Sequence, residues 1–257
     1  MAGSTVKRSI LVPGALLAVL LAALAGSAWA QDGARELTAR EVPPRCPVPF
    51  EQASLALGGA AGGDTLSGGP GRDILRAFGG TDVLIGQAGD DCLVGDNGID
   101  TLQGKAGDDW GLGGRGEDLL LGNDGDDQLY GGRGEDLIFG HGGDDLLTGG
   151  AGLDRLKGQK GADILLGGLG NDNLAAGDGA DILKGSDGND RLHGGDGDDR
   201  LHGGDGDDEL RGGGGSNVLT CGTGRDRAIV LGGGSNEVAR DCEIVVIRRK
   251  GDNRGIR

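Results

Sequence analysis

The sequence predicts an all-β protein built as a solenoid of short, stacked strands, and three observations support this fold class. Of the 257 residues, 60 are Gly and only 2% are aromatic, which is too little bulk for an ordinary globular core. Residues 59–220 divide into eighteen consecutive blocks of nine without an insertion or deletion. Nearly every block carries one large aliphatic residue at a fixed place, so the blocks must stack on one another to bury it.

The places of the nonapeptide differ in how strictly they are kept. The fourth place is Gly in every block, and the sixth is Asp in seventeen blocks and Asn217 in the last. The first place is Gly except at Ala77 and Ala176. The eighth place is Leu in sixteen blocks, with Ile138 and Gly111 as the exceptions. A degenerate nineteenth block, "CGTGRDRAI", follows.

Each block reads as one loop followed by one strand. Places one to five are rich in Gly, which suits a loop whose backbone needs positive φ and close approach to a ligand. Places seven to nine, such as "RLH" or "ILL", put one aliphatic residue between two outward residues, as in a short strand with one buried side chain. A strand of three residues must pair with the equivalent strand of another block.

The pattern G-G-x-G-x-D-x-U-x, in which U is a large aliphatic residue, resembles the repeats-in-toxin (RTX, haemolysin-type) family of calcium-binding nonapeptides. The resemblance implies a right-handed parallel β-roll in which two nonapeptides make one turn. Odd blocks then build one sheet, even blocks the other, and eighteen blocks give about nine turns with the leucines inside. With an amino-terminal signal in place of a carboxy-terminal one, the chain resembles the stand-alone exported calcium-binding members of bacteria more than the toxins or lipases.

In such a roll the sixth-place aspartates stack in rows, with Asp190 one strand spacing from Asp172 and Asp208. Like charges that close repel, and we do not expect so many carboxylates to be protonated near neutral pH. The resemblance implies that Ca²⁺ ions lie between loops two blocks apart, bound by these side chains and by backbone carbonyls. Mg²⁺ fits less well because it demands a compact octahedron. The expected metal ligands are Asp64, Asp73, Asp82, Asp91, Asp100, Asp109, Asp118, Asp127, Asp136, Asp145, Asp154, Asp163, Asp172, Asp181, Asp190, Asp199 and Asp208.

Charge also limits the partners. The 41 acidic and 25 basic side chains give a formal charge of −16, which disfavours nucleic acid and anionic membranes and attracts cations. Extra aspartates at places three and five (Asp196, Asp198, Asp205 and Asp207) either add water-mediated ligands or only keep the surface soluble. A plain acidic low-complexity tail is the alternative for the rows, but the strict phasing with Leu argues against it.

The first thirty residues are typical of a secretory signal peptide. Lys7 and Arg8 precede an apolar run, and "AWA" at 28–30 predicts cleavage after Ala30, with an uncleaved anchor as the alternative. No second apolar span follows, so no membrane span is expected after cleavage. The predicted location is therefore outside the cytoplasmic membrane.

Export makes disulfides the expected state of the four cysteines. Three pairings are possible, of which we favour Cys221 with Cys242, closing a short loop, and hence Cys46 with Cys92. Their spacing matches no zinc pattern.

The flanks of the array are expected to cap it. We predict a signal peptide at 1–30, a lead at 31–58, the roll at 59–220 and a disulfide-linked cap at 221–257, where "CEIVVIRR" is a candidate closing strand. The basic end of that cap is an alternative site for binding a surface. Its residues are Arg248, Arg249, Lys250, Arg254 and Arg257.

No catalytic pattern was found, and we predict that the chain is not an enzyme. The H-E-x-x-H motif is absent, and His141, His193 and His202 occupy outward or loop places. Trp110 and Gly111 interrupt the aliphatic series, which predicts a local bulge or, alternatively, a binding notch.

The sequence thus predicts a secreted protein that binds several Ca²⁺ ions and folds on binding them, as a structural or surface-interaction module. The partner would be a cell surface, a matrix or another protein. The alternative is a non-catalytic accessory or inhibitory partner of a secreted enzyme.

Overall fold

The computed structural model describes residues 30–31, 35–36, 46, 53–232 and 235–249. Every regular element in this part of the chain is a β-strand. In chain order the strands are β1 (Ala30–Gln31), β2 (Arg35–Glu36), β3 (Leu55–Gly58), β4 (Thr65–Ser67), β5 (Asp73–Arg76), β6 (Gly79–Gly80), β7 (Val83–Ala88), β8 (Cys92–Gly98), β9 (Thr101–Ala106), β10 (Trp110–Arg115), β11 (Leu119–Asp124), β12 (Gln128–Arg133), β13 (Leu137–Gly142), β14 (Leu146–Ala151), β15 (Arg155–Lys160), β16 (Ile164–Leu169), β17 (Asn173–Asp178), β18 (Ile182–Asp187), β19 (Arg191–Asp196), β20 (Arg200–Asp205), β21 (Glu209–Gly213), β22 (Val218–Thr223), β23 (Arg227–Gly232), β24 (Glu237–Val238) and β25 (Ile244–Arg249).

The strands form two sheets, one of twelve strands and one of thirteen. From β7 to β25 the odd-numbered strands lie in the first sheet, and from β8 to β24 the even-numbered strands lie in the second. Within the array each strand pairs in parallel with the equivalent strand one turn on, as Leu120 does with Ile138 and Leu129 with Leu147. Two nonapeptides therefore make one turn, and the prediction of a parallel β-roll with odd and even blocks in separate sheets is confirmed.

The core is a single spine of eighth-place side chains from both sheets. Leu66, Leu147 and Leu219, near the start, middle and end of the spine, are each 0% exposed. The first-place residue of the next block also faces inward, while places seven and nine face outward. The buried apolar volume is thin, because only one long side chain per nonapeptide enters it.

The strands are longer than the sequence predicted. Most contain six residues and run from the seventh place of one block to the third place of the next, which leaves only places four to six outside them. Hydrogen bonding continues past the expected ends because all turns are in register; the Gly107 N–H, for example, donates to the Asp124 carbonyl at 2.9 Å. The predicted loop at places one to five is therefore wrong in extent.

The bulge predicted at Gly111 does not form. Strand β10 stays in register through this residue, which pairs with Leu129. A Cβ built on Gly111 would lie 2.9 Å from Leu129 Cδ2, so the neighbouring turn already fills the space, and the predicted notch is absent as well. Trp110 points to the outer face, where it forms a second apolar cluster with Ile74 and Val94.

The ends of the array carry additional strands. Leu57 in β3 pairs with Leu75 and so adds one nonapeptide, half a turn, before the predicted start. Ala228 in the degenerate block pairs with Leu210 and adds another half turn, so the roll has about ten turns rather than nine. The edge strands β1 and β2 pair antiparallel with β4 and β3. At the other end β25 pairs with β23, so "CEIVVIRR" supplies a closing strand.

Both predicted disulfides are present. Cys46 joins Cys92 on the outer cluster, and Cys221 joins Cys242, with Cα–Cα distances of 5.9 and 5.1 Å. The predicted signal peptide, apart from Ala30, lies outside the described residues. So do most of the lead at 31–58 and the part of the basic end from residue 250 onward.

Candidate metal centre

The seventeen sixth-place aspartates are all buried between the turns of the roll. Each lies directly before a strand or at its first residue, and none is more than 3% exposed. The i, i+18 register brings them into two rows, one for odd blocks and one for even blocks. Asp172, Asp190 and Asp208 follow one another in the odd row, as the sequence predicted.

One oxygen of nearly every carboxylate has a fixed structural role. The backbone N–H of each sixth-place residue donates to Oδ1 of the residue one turn later, at distances of 2.7–3.1 Å. The Asp127 N–H, for example, donates to Asp145 Oδ1 at 2.9 Å. These bonds run in one direction along both rows and hold the carboxylates in place.

The second oxygen has no partner. From Asp82 to Asp208, Oδ2 of every sixth-place Asp is buried and without a hydrogen bond. It projects over the first-place Gly of its own block: a Cβ on Gly140 would overlap Asp145 Oδ2. Leaving a buried carboxylate oxygen unsatisfied is costly, so a row of such atoms requires a counter-charge.

Burial changes the acidity of the rows. It raises the pKa of Asp127 and Asp145 to about 8 and the pKa of Asp109 to about 7. Backbone N–H donors offset part of this effect, and neighbouring carboxylates add to it. In the ion-free roll protons and cations therefore compete for the same oxygens at the most buried positions, although most carboxylates of the rows, with pKa values near 6, are still ionised at neutral pH.

The residues present fit a hard dication. The donor set of the rows consists of carboxylate oxygens and backbone carbonyls of the Gly-rich turns, which are the ligands that Ca²⁺ takes in flexible numbers. Each cation would satisfy the unpartnered oxygens and cancel the repulsion along the row. No thiolate or imidazole enters the rows, so a softer transition metal has no preferred ligand among them.

The place-five residues have a role that the sequence did not reveal. Oδ1 of Asp126 accepts the N–H of Asp144 one turn later at 2.7 Å, and Asp198 and Asp207 accept from the following turn in the same way. This ladder runs opposite in direction to that of the sixth-place residues. Exposed place-five Asp and Asn residues therefore fix the loops by hydrogen bonds, a use that neither predicted alternative included.

Two residues belong with the rows although they were not predicted as ligands. Asp226 is 0% exposed, accepts the Asp208 N–H at 2.9 Å and leaves Oδ2 unpartnered. The signal was present in the sequence, since the degenerate block keeps Asp at its sixth place. Asn217 repeats the geometry with an amide, accepting the Asp199 N–H at 2.8 Å.

Other groups of possible ligands in the described part of the chain do not form a second site of this kind. Cys221, Cys242 and Asp241 lie close together, but the cysteines are joined as a disulfide and Asp241 accepts the Gly222 N–H at 3.0 Å. His193 and His202 lie on different sheets, in β19 and β20. These two histidines therefore cannot share one soft metal ion.

Comparison with known proteins agrees with this geometry. A family model for the RTX calcium-binding nonapeptide repeat matches more than half of the chain, from residue 58 to residue 228. A search of curated proteins found no match. The matched segments are residues 58–93, 94–120, 112–147, 121–156, 139–174, 148–183, 175–210, 184–219 and 193–228.

Proposed function

Because the chain belongs to the RTX calcium-binding nonapeptide repeat family, we propose that it is an exported protein whose roll folds when Ca²⁺ binds along both aspartate rows. RTX repeats bind several Ca²⁺ ions and form a structural module. The observation that carries it is the unbroken series of buried, unpartnered Oδ2 atoms from Asp82 to Asp208.

We assign the ligands to the sixth-place aspartates, with each ion held between successive turns. Calcium supplies a divalent positive charge that neutralises carboxylates of both turns. Three features of the chain prepare the site. The hydrogen bonds to Oδ1 orient the carboxylates, and the first-place glycines leave space beside Oδ2. The leucine spine excludes water on the inner side of the rows. Without the ion, the thin core must overcome both the conformational entropy of a Gly-rich chain and the repulsion of two acid rows.

The role proposed for the folded roll is non-catalytic, as a structural or surface-interaction module outside the cell. Two disulfides support an oxidising location, where free Ca²⁺ is also abundant. In the described residues no helix is long and apolar enough to cross a membrane. Amino-terminal sequencing of protein recovered from the medium tests export; a start at Gln31 is expected, and retention of residues 1–30 would contradict it.

Calcium titration tests the folding step. Far-UV circular dichroism of the purified protein is expected to show little strand signal after removal of metal and a cooperative gain as Ca²⁺ rises toward about millimolar levels. Mg²⁺ at equal concentration is the control and should be less effective. An unchanged strand signal in excess chelator at pH 8 would refute coupling between calcium and folding.

A further inference from the structure

Gly occupies the first place of the nonapeptide because of the space that it leaves, not because of its backbone conformation. A Cβ on Gly86 would overlap Asp91 Oδ2 and lie 2.8 Å from the Gly104 carbonyl oxygen. A Cβ on Gly185 would meet its own block's carboxylate in the same way. Neither glycine has a positive φ, so another residue would fit the backbone there. What the first-place Gly provides is room for Oδ2 and for a cation bound to it.

Two blocks lack that room. Ala77 and Ala176 occupy the first place, and their methyl groups are buried at 0% and 1% exposure. They belong to the blocks of Asp82 and Asp181, whose Oδ1 atoms still accept the N–H one turn earlier at 2.7 and 2.8 Å. Because those bonds hold the carboxylates, the methyl groups compete with Oδ2 and its ligand for the same space.

A third block replaces the ligand itself. Asn217 Nδ2 donates to the Gly214 carbonyl at 2.9 Å, and a Cβ on Gly212 would lie 2.7 Å from this nitrogen. An amide donor therefore stands where other blocks present Oδ2. This loop is satisfied by its own hydrogen bonds and offers no carboxylate to a cation.

We infer that calcium loading along the roll is uneven, with Asp82 and Asp181 in weak sites and no carboxylate ligand at Asn217. In the even row, Asp181 and Asn217 flank Asp199, so two of the last three turns of that row have impaired binding. The odd row continues there intact through Asp208. This inference rests on the proposed calcium function and adds the order of binding: the loops of Asp82 and Asp181 are the last to bind Ca²⁺.

Removing the methyl group tests the weak site directly. Ala176→Gly is expected to lower the apparent Kd of the weak class about fivefold or more, given the usual cost of overcrowding a packed site. Ala180→Gly is the matched control, because Ala180 lies exposed in the same block and the change has the same effect on chain flexibility. The reciprocal variant Gly185→Ala should convert the Asp190 site to the weak class.

Calorimetric titration with ion counting gives the readout. Asn217→Asp should add ligand capacity, measured as about one more ion per chain at saturation. If Ala176→Gly shifts calcium binding no more than Ala180→Gly, or Gly185→Ala leaves it unchanged, the inference is wrong while the calcium function stands. If the unaltered protein binds no calcium, the proposed function itself fails. A fold loss in any variant is detected by circular dichroism in saturating Ca²⁺.

Discussion

The pH dependence of the metal-free roll follows from the buried rows. Burial raises the pKa of Asp127 and Asp145 from 3.8 to about 8. A folded-state pKa above the unfolded value means that the folded chain binds more protons, so stability is present at low pH and lost as pH rises. The window extends from about pH 4, where unfolded Asp titrates, to about pH 8, where these two folded groups titrate.

The size of the shift makes this effect large enough to matter for folding. A shift from 3.8 to about 8 corresponds to at most about 6 kcal/mol for one group. Asp127 and Asp145 interact with each other, so their shifts do not add as independent contributions, but one of them alone is comparable to the stability of a marginal domain. Eleven further aspartates have pKa values raised to about 6 or 7, which adds to the loss; they are Asp73, Asp91, Asp100, Asp109, Asp118, Asp136, Asp154, Asp163, Asp172, Asp199 and Asp208.

The assay compares metal-free and calcium-loaded protein from pH 4 to pH 9 by circular dichroism and small-angle scattering. We expect acid alone to restore strand signal and compactness to the metal-free chain, and the benefit of Ca²⁺ to be largest at pH 8 and above. Equal compactness of the metal-free protein at pH 5 and pH 8.5 would refute the reasoning. Collapse without strand signal at pH 5 would show that protonation relieves repulsion but does not replace the ion.

Three further substitutions follow from the same geometry. Asp127→Asn should keep the hydrogen bond to the preceding turn but raise the Ca²⁺ midpoint about threefold or more, whereas Asp126→Asn at the exposed fifth place should leave it nearly unchanged in calcium titrations. Leu147→Ala, in the middle of the spine, should cost about 2–5 kcal/mol in the free energy of unfolding measured with denaturant in saturating Ca²⁺. Replacing both Cys221 and Cys242 by Ser should cost about 3 kcal/mol by the same measurement, because the unfolded chain would regain the conformational entropy that closing this loop removes; no change in unfolding midpoint would contradict that estimate.

The repeat predicted the fold well because residues at the same place of the nonapeptide are also the residues that pair between turns. Strict spacing of nine put Leu120 opposite Ile138 and Asp172 opposite Asp190, since only a shift by whole nonapeptides keeps both series aligned. Strand length was predicted poorly, because pairing at places one to three depends on backbone hydrogen bonds from the neighbouring turn. A Gly-rich segment read alone carries no sign of those partners.

Trp110 and Gly111, which interrupt the repeat, likewise depend on contacts that the sequence does not reveal. Gly111 read as a defect because its missing side chain is visible in the sequence, but Leu129 of the next turn fills the gap. Trp110, its neighbour, belongs to an outer cluster with Cys92, which the Cys46 disulfide also reaches. Neither contact is encoded by a nearby residue.

By itself the sequence determined the repeat length, the buried leucine spine and the regular series of aspartates, since all three depend only on residues recurring every nine positions; the division of the aspartates into two rows followed from the resemblance to RTX repeats. The tertiary structure decided what each carboxylate oxygen does. Only the stacking of residues eighteen apart gives Oδ1 a hydrogen-bond donor and buries Oδ2 without one. The same stacking buries the methyl groups of Ala77 and Ala176 in the space that the carboxylates of their blocks need. A linear pattern specifies which groups recur. Hydrogen bonding and crowding arise between turns, where the residues in contact are far apart in the sequence.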